Sequence, residues 1–231
     1  MLEGREESWP LGVRGLPCRC AVLYGSLLLE QAEAKSVAVA RTANKDDVVT
    51  QPRHRADMFT DPATDPREGG KSLGDERETL VEFLRCQRLT LQLKCEGLDA
   101  GQLASRSVEP STMSLLGLVR HMAEVERTWF RRRFAGQDVP KRYQSDAQPD
   151  GDFDGAVANQ SVVDEAWAAW RDEVAFAEQF VRETDLGFVG HDGAGNPVSL
   201  RELLVHMVEE YARHNGHADL LRERLDGRIG Q

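Results

Sequence analysis

Residues Leu200–Leu225 read LRELLVHMVEEYARHNGHADLLRERL, and the register of this stretch decides the fold. Set in heptads from Leu200, its inward positions are Leu200, Leu203, Met207, Glu210, His214, His217 and Leu221. A helical seam that begins and ends in leucine therefore turns polar in its middle. Burying a carboxylate and two imidazoles is costly unless something pairs with them, and a divalent metal ion is the most economical partner. At about 100° and 1.5 Å per residue, side chains four apart can share one ion and side chains eight apart cannot. His206 and His214 are thus not joint ligands. The pairs left open are His206/Glu210, Glu210/His214 and His214/His217, and the position of His206 on the flank of the seam favours the other two.

Working outward, Ser199 and Glu202 form an S-x-x-E capping box that starts this last helix. Before it lies a glycine-rich connection, DLGFVGHDGAGNPV at 185–198, whose His191 reads as an exposed loop residue. A third helix, capped by Ser161, places Val163, Ala166, Trp167, Trp170, Val174, Ala177 and Val181 on one face as core packing. Residues 137–160 are a long polar crossover with Asp138, Asp146, Asp150, Asp152 and Asp154, whose spacing does not match a calcium-binding EF-hand loop.

The second helix, SLLGLVRHMAEVERTWFRRRFAG, is capped by Ser111 or Ser114 and stops at Gly136. It commits Leu115, Leu118, Met122, Val125 and Trp129 to packing, with His121 adjoining that face. Its Arg131–Arg133 run reads as solvated charge compensating the helix dipole. The first helix spans about Asp75–Glu96, with Leu80, Phe83, Leu84, Gln87, Leu91 and Leu98 recurring at three- and four-residue steps. Gly97 fits its end and DAGQL makes one further turn. The expected architecture is all-α: a four-helix bundle over 75–231, preceded by a poorly ordered extension over 1–74.

Residues 1–57 carry 8 basic and 8 acidic side chains, so the net charge of −10 in this 231-residue chain belongs to residues 58–231, with 21 basic and 31 acidic. That balance argues against a broad nucleic-acid surface. Pro10, Gly12, Gly15, Pro17 and Pro52 break the N-terminal stretch, and Met58 is the expected functional start. The longest apolar run, AVLYGSLLL at 21–29, is too short to span a bilayer. As a signal peptide, with AEA at 32–34 for cleavage, it has the wrong charge before it: Glu3, Glu6 and Glu7. Cys18, Cys20, Cys86 and Cys95 form neither a disulfide framework nor a CxxC pair. A soluble cytoplasmic protein is expected, with neither membrane nor nucleic-acid partner.

Taken alone, Glu210, His214 and His217 fit an internal hydrogen-bond network or an exposed helix face as well as a metal site, and no compact motif such as HExxH is present. His121 changes the balance, because it sits on another helix able to face this one. Three ligands, two from one helix and one from another, leave positions for water or substrate, as a catalytic rather than a structural site requires.

The second helix (LLGLVRHMAEVERTWF) and the last helix (VHMVEEYARHNGHADLLRE) resemble the DinB-like metalloprotein superfamily, in particular its actinobacterial branch of unknown function, over roughly residues 75–228. The resemblance implies a DinB-like four-helix bundle that binds a divalent ion through His121, Glu210 and His214. Glutamate at position 210, where many relatives have histidine, is a feature shared with mycothiol-dependent maleylpyruvate isomerases. His217 then stands behind the ligands rather than among them, and no catalytic residue is assigned beyond the ligands. The resemblance further implies zinc, with nickel or another divalent ion as alternatives, and a low-molecular-weight thiol such as mycothiol that is transferred to a small electrophile or used in isomerisation. A metal-dependent hydrolase and a non-catalytic, stress-associated metal-binding protein, in either case with a homodimer open to it, are the competing expectations.

Overall fold

The computed structural model describes residues 59–230. Met58, the apolar run at 21–29, Cys18 and Cys20 lie outside the described residues. The elements are α1 (Glu76–Cys95), α2 (Ala100–Ala104), α3 (Leu115–Glu126, continuing as a π-helical segment Arg127–Phe134), α4 (Gly151–Asp154), α5 (Gln160–Glu183), β1 (Val189–His191), β2 (Pro197–Ser199) and α6 (Leu200–Asp226). The four long helices form the bundle. α1 lies chiefly along α6 and α3 along α5, while α3 also touches α1 and α6. The all-α DinB-like class is the fold observed.

Caps set most of the boundaries. Asp75 accepts from the Glu78 N–H while Glu78 accepts from the Asp75 N–H, a complete capping box for α1. Ser114, rather than Ser111, caps α3 by accepting from the Gly117 N–H. Ser199 accepts from the Glu202 N–H at the start of α6, which ends where Gly227 turns left-handed (φ 76°). The cap of α5 lies two residues before the expected one: Asn159 caps it and also holds the Ser161 hydroxyl. The 185–198 connection is a β-hairpin, β1 pairing antiparallel with β2, and the absent side chain of Gly190 lets it press on the Phe134 ring.

Two expectations about packing need correction. In α1 the inward residues are Leu84, Arg88, Leu91 and Cys95, whereas Phe83 is exposed. In α6 the buried stripe runs through Leu200, Leu203, Leu204, Met207, Tyr211, Asn215, Ala218, Leu221 and Arg222. The heptad frame that placed Glu210, His214 and His217 on the seam repeats every 3.5 residues, and a straight helix repeats every 3.6. The two drift apart by about 20° per heptad, enough to move Tyr211, Asn215 and Ala218 inward and leave the charged set half-buried at the stripe's edge.

A charged network crosses the core beneath that stripe. Arg88 Nε and Nη2 each donate 2.8 Å bonds to the two carboxylate oxygens of Glu126, Tyr211 Oη donates to Glu126 Oε1 (2.8 Å), and Trp170 Nε1 donates to Tyr211 Oη (2.9 Å). It joins α1, α3, α6 and α5, with every member buried. Residues 59–74, which the sequence groups with the extension, lie against α1 and the C-terminal segment. Phe59 is buried beneath Lys94 and Arg228, and Arg85 donates to the carbonyls of Pro66 and Arg67.

Candidate metal centre

His121 projects from α3 toward α6, where Glu210 and His214 sit one turn apart. One ligand atom from each lies within 4.8 Å of the others. The Glu210 Oε2 to His214 Nε2 separation is 3.6 Å, close to the roughly 3.4 Å edge of a tetrahedron with metal–nitrogen bonds near 2.0–2.1 Å. The His121 and His214 rings stand 4.7 Å apart, tilted by 59°.

The surroundings fix which atoms can ligate. His121 Nδ1 is 2.7 Å from Asp152 Oδ2. A buried carboxylate only accepts, so Nδ1 is the donor, which in a neutral ring leaves the lone pair on Nε2, the arrangement that orients metal-binding histidines generally. Burial pushes the Asp152 carboxyl upward, but its bonds with His121, Gln144 Nε2 (3.0 Å) and the Phe153 N–H outweigh that and hold it below the usual range. Burial, reinforced by the neighbouring His121, His217 and Arg213, drives the His214 imidazole down to about 4. It is therefore neutral at pH 7, the form that binds a metal. Two neutral imidazoles and one carboxylate suit zinc or a similar divalent ion and carry one negative charge in all, leaving such an ion an affinity for a further anion.

The remaining histidines occupy the margins. His217 Nδ1 lies 3.4 Å from His214 Nδ1, behind the ligating face. His206 Nε2 reaches Glu210 Oε1 at 3.6 Å from the far side and meets the Trp129 ring edge-on at 4.8 Å. His191 is exposed on β1. The described residues thus bring together His121, Glu210 and His214 and leave His206, His217 and His191 outside the group.

A family model for mycothiol S-transferases matches residues 79–227, which include all three grouped side chains. The chain belongs to the mycothiol S-transferase family. No curated protein matches it. Among solved structures, a conserved protein from Enterococcus faecalis aligns with a TM-score of 0.47 and 16% identity, over 65% of this chain and 96% of its own.

What the sequence did not reveal in this mycothiol S-transferase family member is the support for His121. Asp152 lies on α4, inside what reads as a polar crossover. Arg120, next to His121, holds that short helix by donating to the carbonyls of Asp152 (2.8 Å) and Gly151 (3.0 Å). Phe153 stacks on the His121 ring at 5.2 Å, an approach open because Gly117 lacks a side chain: a Cβ there would stand 2.8 Å from Phe153 Cδ1. Buried Glu124 accepts from the N–H groups of Arg142 and Tyr143 and anchors the start of the crossover. Among the five aspartates of this segment, Asp152 differs in its flanks, Gly151 and Phe153, which are suited to a tight buried turn rather than a solvated loop.

Proposed function

We propose that this chain is a metal-dependent thiol S-transferase taking a low-molecular-weight thiol of the mycothiol type and a small electrophile as substrates. The observation that carries the reading is the His121/Glu210/His214 group with Asp152 behind it, in a chain of the mycothiol S-transferase family. A divalent ion held by His121, Glu210 and His214 would supply Lewis acidity that favours the thiolate form of a small thiol at neutral pH.

The chain's own residues do the rest. Asp152 keeps the His121 proton on Nδ1 and its lone pair on Nε2, and Gln144 and Arg120 keep Asp152 in place. Phe153 excludes water from one side of the His121 ring. Neither described cysteine is suited to be the nucleophile. Burial pushes the Cys95 thiol up to about 12, and burial together with Glu82 raises Cys86 to about 11. Both lie on α1, away from the group, so the reacting sulfur is assigned to a small thiol.

The test starts with metal content. The full chain should carry close to one zinc-type ion, and His121→Ala and His214→Ala should each lose it; unchanged stoichiometry in both variants removes the site. Metal-loaded protein incubated with mycothiol, bacillithiol or N-acetylcysteine and a generic electrophile should form conjugate faster than metal-stripped protein. A blank with every thiol rejects the transferase reading in favour of a non-catalytic metal-binding protein.

A further inference from the structure

A cleft of about 420 Å³ opens between the π-helical end of α3, the crossover and the β1–β2 turn, a size that suits a small molecule. Its walls include Arg132, Arg133 and Lys141, with Gln144 at the inner side and Asp192 from the turn. The Arg131–Arg133 run, expected to be solvated, is instead divided. Arg131 pairs with Glu173 and Asp172 and lies on the Phe176 ring. Arg133 stacks on Trp129 at 4.3 Å, and Arg132 faces the opening.

The charge balance there is unusual for this protein. Elsewhere on the same segments arginines are matched: Arg127 and Arg131 share Glu173, while Arg120 and Arg142 approach Glu165 at 3.9 and 3.5 Å. Among the described residues, Arg132, Arg133 and Lys141 make no ion pair within 4 Å. The one carboxylate in the cleft, Asp192, is already occupied by the N–H groups of Ala194 and Asn196 and by the Asn196 amide. Three cations against one carboxylate, Asp192, which acts electrostatically on Arg133, leave a local excess of positive charge in a chain of net charge −10. The π-helical winding contributes, since such segments reorient side chains and recur at functional sites.

Two short paths join the cleft to the metal group. Gln144 donates to Asp152, which holds His121. On the other side, Arg133 covers Trp129, whose ring meets His206, which in turn reaches Glu210. The cleft is thus linked to the metal group through Gln144, while its α3 wall, Thr128–Arg133, lies roughly 10 Å or more along the helix from His121, so a ligand there would engage the end of a substrate remote from the metal.

We propose that this cleft is an anion subsite that binds a carboxylate or phosphate carried by one of the two substrates, through Arg132, Arg133 and Lys141. The inference deepens the transferase reading and rests on it for the identity of the reaction, although anion binding itself does not. In the conjugation used as a probe, thiolate sulfur attacks the chlorine-bearing ring carbon of a chloronitroarene; the C–S bond forms, chloride leaves with the C–Cl electrons, and the thiol proton passes to solvent.

The experiment uses full-length, zinc-loaded protein and the matched pair 4-chloro-3-nitrobenzoate and 4-chloro-3-nitrobenzamide. By calorimetry without thiol, the acid should bind at least about tenfold tighter than the amide, and the preference should shrink as salt rises. The Arg132→Gln/Lys141→Gln double variant, which spares the Trp129 stack, should lose that preference with metal content and melting temperature unchanged. Turnover arms locate the anion. With neutral N-acetylcysteamine as thiol, a raised KM for the benzoate alone in the double variant places the anion on the electrophile. With the benzamide as electrophile, a raised KM for N-acetylcysteine over N-acetylcysteamine places it on the thiol. Equal binding of acid and amide, or a preference that survives in the double variant, overturns the subsite. A preference lost in the variant without turnover in any arm supports the subsite and rejects the transferase.

Discussion

At the scale of single residues, Asp152 is the support of the candidate metal group, because its bond to Nδ1 directs which nitrogen of His121 faces Glu210 and His214. Removal of such a supporting carboxylate typically costs about 10–100-fold in metal affinity. Asp152→Ala should therefore weaken zinc binding within that range, and Asp152→Asn, whose amide oxygen can still accept from Nδ1–H, should fall between it and the parent. Competition against a chromophoric chelator measures this, and equal affinities for all three proteins would remove Asp152 from the site. The cysteines give a second test. With their thiols pushed up to about 11 and about 12, Cys86 and Cys95 hold only about 10⁻³ and 10⁻⁴ of thiolate at pH 8, against roughly a quarter for a free thiol. Peptide-resolved alkylation with iodoacetamide should be at least about 100-fold slower at both positions in native protein than in urea. Fast native alkylation of Cys95 would contradict its burial.

At the scale of elements, Gly117 on α3 and α4 behave as a matched pair. A Cβ at position 117 would meet Phe153 Cδ1 at 2.8 Å, Ser114 Oγ at 3.1 Å and the Phe153 backbone at 3.4 Å. The least rigid part is α4, held by Arg120 and the Asp152 contacts. Gly117→Ala should displace α4 outward, weaken zinc binding through Asp152, and cost about 1–3 kcal/mol in stability from overpacking. Urea unfolding and metal titration report the two effects separately, and unchanged metal affinity would show that α4 does not position His121. The same elements mark the limit of what the sequence conveyed. Boundaries set locally were readable: Ser199 with its partner Glu202, Ser114 as one of two candidate caps, and glycines at 97 and 136 that adopt positive φ. The hairpin signal in HDGAGN is equally local. Three features were not local. The His121–Asp152 bond spans 31 residues, the π-helical winding of Arg127–Phe134 has no compositional marker, and the slow drift between a 3.5 and a 3.6 repeat changes which side chains are buried only after two or three turns. His121, Glu210 and His214 were readable through family resemblance, whereas their support was not.

At the scale of the whole molecule, the Arg88–Glu126–Tyr211–Trp170 network takes the place that an apolar layer would otherwise hold between the four helices. Arg88 and Glu126 have 8% and 0% of their side chains exposed, so neither can recover hydration if the other is lost. Breaking a buried pair by removing one partner costs about 3–5 kcal/mol, whereas replacing both with apolar groups of similar volume is often neutral or stabilising. Glu126→Leu leaves the Arg88 guanidinium with only the exposed Glu178 carboxylate at 3.8 Å and deprives the Tyr211 hydroxyl of its acceptor, so it should lower the unfolding free energy by about 3–5 kcal/mol. Arg88→Met/Glu126→Leu should recover most of that loss. The remaining deficit should come from Tyr211, whose hydroxyl keeps only its bond from Trp170, and further replacement of Tyr211 by phenylalanine should make Trp170 the next unsatisfied donor rather than restore stability. Guanidinium unfolding of the single, double and triple variants under constant metal concentration tests the chain of inference, because bound metal itself adds RT ln(1 + [M]/Kd), about 2.7 kcal/mol at a hundredfold excess over Kd. If the double variant is as unstable as Glu126→Leu, the network holds the four helices in register and is more than a tolerated charge pair; if it recovers, the bundle's register comes from its apolar layers.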